Sequence, residues 1–354
     1  MTAGPRRWVF PSEIVAWTAA AGALAYLRWH GLPYGWNTVT YLLPQMLRRV
    51  PLFLLIGVAL RAGYHLVARR SARDFLRAVL RPGWLLVEAR CWLALILVIY
   101  AYTWLKVSIP LVRDVLYDDT LWRLDRFVHF GLSPSVFAVE LVAGTPLAGL
   151  LDAWYGLWAP LLVILTALFF AHERADLRRN FALATGLLWT LGVLGYLAWP
   201  SLGPCFASPD VLDPIRTQIP SAIGLQNTLW QQYLSMVRGR GGLLPSFQPL
   251  YGVAAMPSLH VGAHALFAFW ARRHERWLFV PMAVATCLTF LGSIGTCWHY
   301  AIDGYAGVGL AWLAVRLADR FEPTAASVPA GGGEDGGGEQ AGDQRDGDHQ
   351  HAES

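Results

Sequence analysis

Residues Ala255–Gly262 read AMPSLHVG, and Ser293–Gly304 read SIGTCWHYAIDG. Each stretch leads into a long apolar run, 257–271 after the first and 299–317 after the second. Ser258, His260, His299 and Asp303 therefore stand where hydrocarbon is expected. Ionisable groups at membrane depth are expensive, and this marks them as functional candidates. The rest of the chain has the same membrane character. Of its 354 residues, 55% are hydrophobic and 15% charged. A soluble globular chain carries about 25% charged residues. Seventeen tryptophans and thirteen tyrosines fit two membrane–water interfaces. The fold class expected is an all-α polytopic membrane helix bundle. The net charge of +4 is too mild and too scattered to imply a nucleic-acid partner.

An apolar run of roughly 20 residues spans a bilayer. About eight such runs are legible, near 13–30, 51–68, 84–106, 153–171, 181–199, 257–271, 277–294 and 299–317. Arg61 and His65 interrupt the second. The stretch 134–151 is apolar but broken by Gly144 and Pro146, and reads as a re-entrant or interfacial helix. Three short connections, 69–82, 172–180 and 272–277, are rich in arginine and fall on one side of an eight-span scheme. The positive-inside rule makes that side the cytoplasm and places both termini there. Arg28, Arg48 and Arg49 fall on the other side, against the trend. The long connections 107–152 and 200–256 are then extracytoplasmic, and the two histidine motifs meet on that face. The tail 322–354 is rich in Gly, Asp and Glu, a composition that favours disorder. Cys205 and Cys297 share the outer face. An oxidising compartment permits a bridge between them, and two unpaired thiols are the simpler reading.

His299 and Asp303 are four positions apart, which stacks them on one helix face. A carboxylate that accepts from one imidazole nitrogen fixes the tautomer and frees the other as nucleophile or base. His260, from a separate helix, can face His299, and two opposed imidazoles suit a nucleophile and a general acid. Ser258 and the amides that follow it can hold an anion at a helix start. Two other readings remain at this point. One is a buried hydrogen bond that serves packing alone. The other is a metal site of His260, His264, His299 and Asp303, although the short spacing of zinc enzymes is absent.

Pro257–His260 followed by His299–Asp303 resembles the second and third motifs of the type-2 phosphatidic acid phosphatase superfamily. The fuller form, Ala255–Val261 with Tyr300, Ala306 and Gly307, is similar to the inositolphosphotransferase branch, which includes inositol phosphorylceramide synthases. Asp118–Pro134 (DDTLWRLDRFVHFGLSP), Tyr155–Pro160 (YGLWAP) and Trp199–Pro204 (WPSLGP) fall in that branch's order, so the resemblance covers about 90–320. It implies a six-helix catalytic core within 84–321, preceded by membrane helices in 1–83. It further implies that His299 attacks phosphorus, Asp303 orients it, and His260 protonates the leaving oxygen, with no cofactor or metal required. The substrate implied is a phospholipid or polyprenyl-phosphate-type lipid in the plasma membrane, with an alcohol or polyol as acceptor. A phosphatase using water, and a scaffold or transporter that has lost the chemistry, are the alternatives.

The chain departs from the superfamily in its cations. Gly292 and Ser293 occupy the places of the third motif's Ser-Arg, and Trp199–Phe206 carries neither lysine nor arginine where the first motif belongs. The replacement phosphate ligands expected are Lys106, the chain's only lysine, and Arg216, Arg238 and Arg240 in the 200–256 connection. Asp114, Asp118, Asp119 and Asp125 are expected to form solvated helix caps and ion pairs with Arg123 and Arg126.

Overall fold

The computed structural model describes residues 8–32, 36–238 and 252–324, and the described residues form helices with no strand. Eight helices correspond to the expected apolar runs. These are α1 (Pro11–Trp29), α2 (Trp36–Val67), α4 (Pro82–Val112), α8 (Trp158–Phe170), α9 (Ala175–Ala198), α12 (Leu259–His274), α13 (Phe279–Gly295) and α14 (Ala301–Phe321). Shorter helices fill the connections: α3 (Ala72–Val79), α5 (Asp118–Val128), α6 (Pro134–Val142), α7 (Pro146–Gly156), α10 (Pro204–Ala207) and α11 (Pro220–Arg238). Proline opens α1, α4, α6, α7, α10 and α11, where its missing N–H costs nothing. The bundle is therefore all-α and multi-pass. Of the expected tail, 322–354, residues 325–354 lie outside the described residues, whereas Glu322 and Thr324 are buried.

Length and hydropathy qualify fewer helices than eight as spans. Among the described residues five pass: Leu47–Val67, Pro82–Val112, Ala175–Ala198, Arg276–Gly295 and Ala301–Phe321. Helices α7 and α8 add a sixth if taken as one span bent by 45°. The expected continuous run 153–171 is thus broken at Leu157. Pro160 explains the break, because its ring cannot tolerate the carbonyl of Gly156 in a continuous helix. Helix α12 has only 16 residues, about 24 Å at 1.5 Å each. The region 134–151 forms two short helices, α6 and α7, separated at 143–145.

The core is built where α4, α9, α12 and α14 pack together, with α1 lying against α4 and α9. Phe169, Phe170, Phe181, Phe267 and Trp270 form its aromatic centre, with Phe181 and Trp270 edge-to-face at 5.4 Å. Such pairs contribute about 0.5–1.5 kcal/mol beyond area burial. Glycine decides how closely α12 and α14 approach. A Cβ on Gly307 would lie 2.2 Å from the Ser258 carbonyl oxygen, and one on Gly262 would lie 3.0 Å from the Gly307 carbonyl oxygen. The two helix starts that carry the histidine motifs therefore touch backbone to backbone. The Ser258 N–H donates to the Asp303 carbonyl at 2.8 Å.

Candidate active site

His260 occupies the first turn of α12, and His299 the turn just before α14. Ser258 is the N-cap of α12, its hydroxyl accepting from the Val261 N–H at 3.4 Å. At the start of α14 the Asp303 carboxylate accepts from the Tyr300 N–H at 2.9 Å. His260 Nδ1 and His299 Nε2 are 3.0 Å apart. The separate motifs thus converge, and both imidazoles line one cavity of about 590 Å³.

The tautomer of His299 is set by its neighbours. Its Nδ1 lies 3.0 Å from the Ala255 carbonyl oxygen and 3.5 Å from an Asp303 carboxylate oxygen. Both partners only accept, so Nδ1 carries the proton and the neutral ring presents Nε2 as a lone pair. The direct hydrogen bond goes to Ala255, where the sequence pointed to Asp303. Asp303 acts from slightly farther away as a fully buried carboxylate, with its Oδ1 unpartnered. A negative group there favours positive charge developing on His299.

His260 has a second partner that sequence reasoning missed. The Tyr155 hydroxyl lies 2.6 Å from the same Nδ1, and the Trp158 ring is tilted against the imidazole at 4.1 Å between centroids. Both come from YGLWAP, which carried a weak family likeness but no role. The bend between α7 and α8 brings them to the site.

Of the expected cations, Lys106 lines the cavity, where its ammonium lies 5.7 and 5.5 Å from the ring centroids of Tyr102 and Tyr196. Arg49 of α2 lines it too. That residue counted against the positive-inside pattern in the sequence. Arg216 is instead held by Asp213 at 3.0 Å on the surface, and neither it nor the exposed Arg238 lines the cavity. Arg240 lies outside the described residues. Ser258 is fully buried and its hydroxyl serves as a cap. The described residues contain no group of three His, Cys, Asp or Glu placed to hold a metal.

Two of the acids depart from the expected solvated roles. Asp118 is buried and accepts from the N–H groups of Leu202 and Gly203 at 2.9 and 2.8 Å and from the Tyr300 hydroxyl at 3.0 Å. Asp125 accepts from Ala301 and Ile302 at 3.3 and 3.0 Å, capping α14 from another helix. Burial raises both carboxyls above the usual range, more than these hydrogen bonds lower them. Asp119 keeps the expected surface pair with Arg123, at 2.8 Å. The turn that Asp118 grips packs on the site: Gly203 has φ +95°, and a Cβ there would lie 2.3 Å from the Trp298 carbonyl oxygen. The Cys205 N–H donates to the Cys297 carbonyl at 2.8 Å, and both are free, buried thiols.

The sequence profile of the PAP2 superfamily matches residues 119–317, from α5 through most of α14. The chain belongs to the PAP2 superfamily. That membership brings a lipid phosphatase or phosphotransferase type of activity to a multi-pass membrane protein. His260, His299, Asp303, Tyr155 and Asp125 lie within the matched residues, whereas Lys106 and Arg49 precede them. No curated protein and no solved structure matches the chain.

Proposed function

We propose that the chain transfers a phospho-headgroup from a lipid to an alcohol through a phosphohistidine on His299. The observation that carries this reading is the meeting of His260, His299 and Lys106 in one cavity of a PAP2 superfamily chain. In the proposed cycle His299 Nε2 attacks phosphorus. The bond from phosphorus to the lipid alcohol breaks as His260 gives its proton to that oxygen; His260 then takes a proton from the incoming hydroxyl, whose oxygen replaces His299 on phosphorus. Lys106 and Arg49 offset the charge on the phosphoryl oxygens, as cationic donors do in phosphoryl transfer. The two imidazoles touch at 3.0 Å, leaving no room for phosphorus between them. The bound phosphate must therefore displace His260 from His299, and Tyr155 is the partner it retains.

The same residues support hydrolysis if water reaches the intermediate. The walls favour transfer. Trp158, Trp189, Leu202, Phe206, Leu225 and Trp298 line the cavity, and an apolar lining disfavours water as the acceptor. The inositolphosphotransferase resemblance points the same way, with inositol or another polyol as acceptor. In this reading the cavity opens on the extracytoplasmic side of the plasma membrane with both termini inside, and the arginine distribution supports that orientation.

The test is mass analysis of products after incubating purified protein with candidate phospholipids, with and without inositol or another alcohol. The freed lipid alcohol together with the headgroup-phosphate ester of the added alcohol is expected, and water alone should yield little headgroup phosphomonoester or free phosphate. His299→Ala should abolish both products, and His260→Ala should slow them by about 10²–10⁴, the usual contribution of a positioned acid–base group. Unchanged turnover in His299→Ala would leave only the scaffold or transporter reading.

A further inference from the structure

A second cleft lies at the far ends of α12 and α14. From His260 to the end of α12 is about 14 residues, and from Asp303 to Arg320 about 17, or some 21–26 Å of helix. The cleft is thus most of a bilayer's thickness from the histidines and is not part of their cavity. It measures about 720 Å³, and Arg272, Arg273, Arg276, Arg316 and Arg320 line it with Trp312.

Asp319, also in the lining, neutralises one of these arginines and the other acids nearby point elsewhere. Asp319 is shared among Arg273 at 2.7 Å, His274 at 3.3 Å and Asn180 at 3.1 Å. Glu275 turns away to Arg61 and His172. Glu322 pairs with Arg179 at 2.8 Å. Arg272, Arg276, Arg316 and Arg320 are left with no carboxylate partner among the described residues. Arg272 lies over the Phe279 ring at 5.6 Å and Arg316 over the Trp312 ring at 5.3 Å. These rings hold the guanidinium stems without cancelling their charge. Arg316 and Arg320 are four apart on α14 and face the α12 group across the cleft, so both helices offer positive charge to the same space.

We propose that this cleft binds the phosphate headgroup of an anionic phospholipid in the leaflet opposite the histidine cavity. Guanidinium forks match phosphate oxygens geometrically. Trp312, half exposed, is the residue type that sits at the headgroup level. Basic pockets between membrane helices on the arginine-rich side recognise such headgroups. Occupation of the cleft ties α12 to α14 at one end, as Gly307 ties them at the other.

The test uses the full chain in nanodiscs of phosphatidylcholine, with and without phosphatidylglycerol, and reads bound lipid by native mass spectrometry and the melting temperature. Retained phosphatidylglycerol and a raised melting temperature are expected for the wild type. Both responses should weaken at least tenfold in phosphatidylglycerol concentration for R316Q/R320Q and, separately, for R272Q/R276Q. Each variant should melt like the wild type in phosphatidylcholine alone, which shows that it folds. The same response in either variant as in the wild type would overturn the proposal. So would equal stabilisation by inorganic phosphate in phosphatidylcholine discs, because the cleft would then take a soluble anion. His299→Ala should keep the response; its loss there would place the lipid in the histidine cavity and also overturn the proposal. Since the readout needs no turnover, it stands or falls apart from the phosphotransfer reading.

Discussion

At the scale of single residues, the cavity joins the nucleophile and the acid of the proposed cycle: His299, whose tautomer is fixed, and His260, with its two competing partners. One histidine must be neutral to attack while the other is protonated to donate. The rate should therefore be bell-shaped in pH between about 5 and 8, and a flat profile with chemistry rate-limiting would rule out the two-histidine scheme. Tyr155→Phe removes the hydroxyl 2.6 Å from His260. A net hydrogen bond is worth about 1 kcal/mol, so kcat should fall roughly five- to tenfold. KM should stay near its original value, and the His260 limb of the profile should move. An unmoved limb would reduce Tyr155 to a wall of the pocket. Lys106→Met should raise KM and lower kcat together by about 10²-fold, the size of a lost charge-assisted contact, and Lys106→Arg should recover part of it. Kinetics indistinguishable from wild type would exclude Lys106 as a phosphate ligand. The histidines and Asp303 were legible because their spacing and membrane setting are unusual. Lys106 was legible because the chain has no other lysine to offer. Tyr155 and Arg49 were not, since nothing local ties α7 or α2 to the histidines. The only mark on Arg49 was its place on the wrong side of the arginine pattern.

At the scale of elements, the site depends on how α12 meets α14. Replacing Gly307 with alanine puts a methyl 2.2 Å from the Ser258 carbonyl oxygen, so backbone must move. Overpacking of this kind costs about 1–3 kcal/mol. It should also separate His260 from His299, so turnover should drop by more than the lost stability explains. Gly309, with open space around its Cβ position, is the control: Gly309→Ala should leave both properties intact. Assays that found the two variants alike would dissociate the glycine contact from the site. The runs of apolar residues gave most helix positions to within a few residues, because burial in lipid demands them, although α2 begins at Trp36, well before its run. The break at Leu157 was less legible. Pro160 was in plain view, yet an isolated proline also fits a continuous kinked span, and neighbouring helices settle which occurs.

For the whole molecule, the arginine-rich end is locked by a buried cluster. Arg61 of α2 pairs with Glu275 after α12, and His172 before α9 lies 3.2 Å from the same carboxylate. His65 and Glu173 complete the group, 3.7 Å apart. Burial alone would raise the Glu275 carboxyl, but the His172 contact and the Arg61 charge outweigh it and hold it below the usual glutamate range. A lowered carboxyl stabilises the fold above its ordinary value, and this contribution is lost as pH falls through the folded value. Glu275→Gln leaves Arg61 buried without its partner, at a cost of about 3–5 kcal/mol. Its melting temperature should trail the wild type most at neutral pH, with the gap closing on acidification. A gap that stays constant with pH would show that the charge of Glu275 is not what holds these helices.

Composition and spacing alone determined that this chain crosses a membrane as helices, and they singled out two imidazoles and a carboxylate as candidates for one site. Both are one-dimensional facts: hydrocarbon selects apolar runs of fixed length, and a helix repeats every 3.6 residues. The tertiary structure decided which distant groups share the cavity. It brought Tyr155, Lys106 and Arg49 to the histidines and left Arg216 at the surface. It also turned Asp118 and Asp125 from expected surface acids into buried acceptors that hold the site's backbone. Those outcomes depend on the angles at which helices pack and on where α7 bends into α8, and contacts between residues far apart in the chain leave no periodic trace in its sequence.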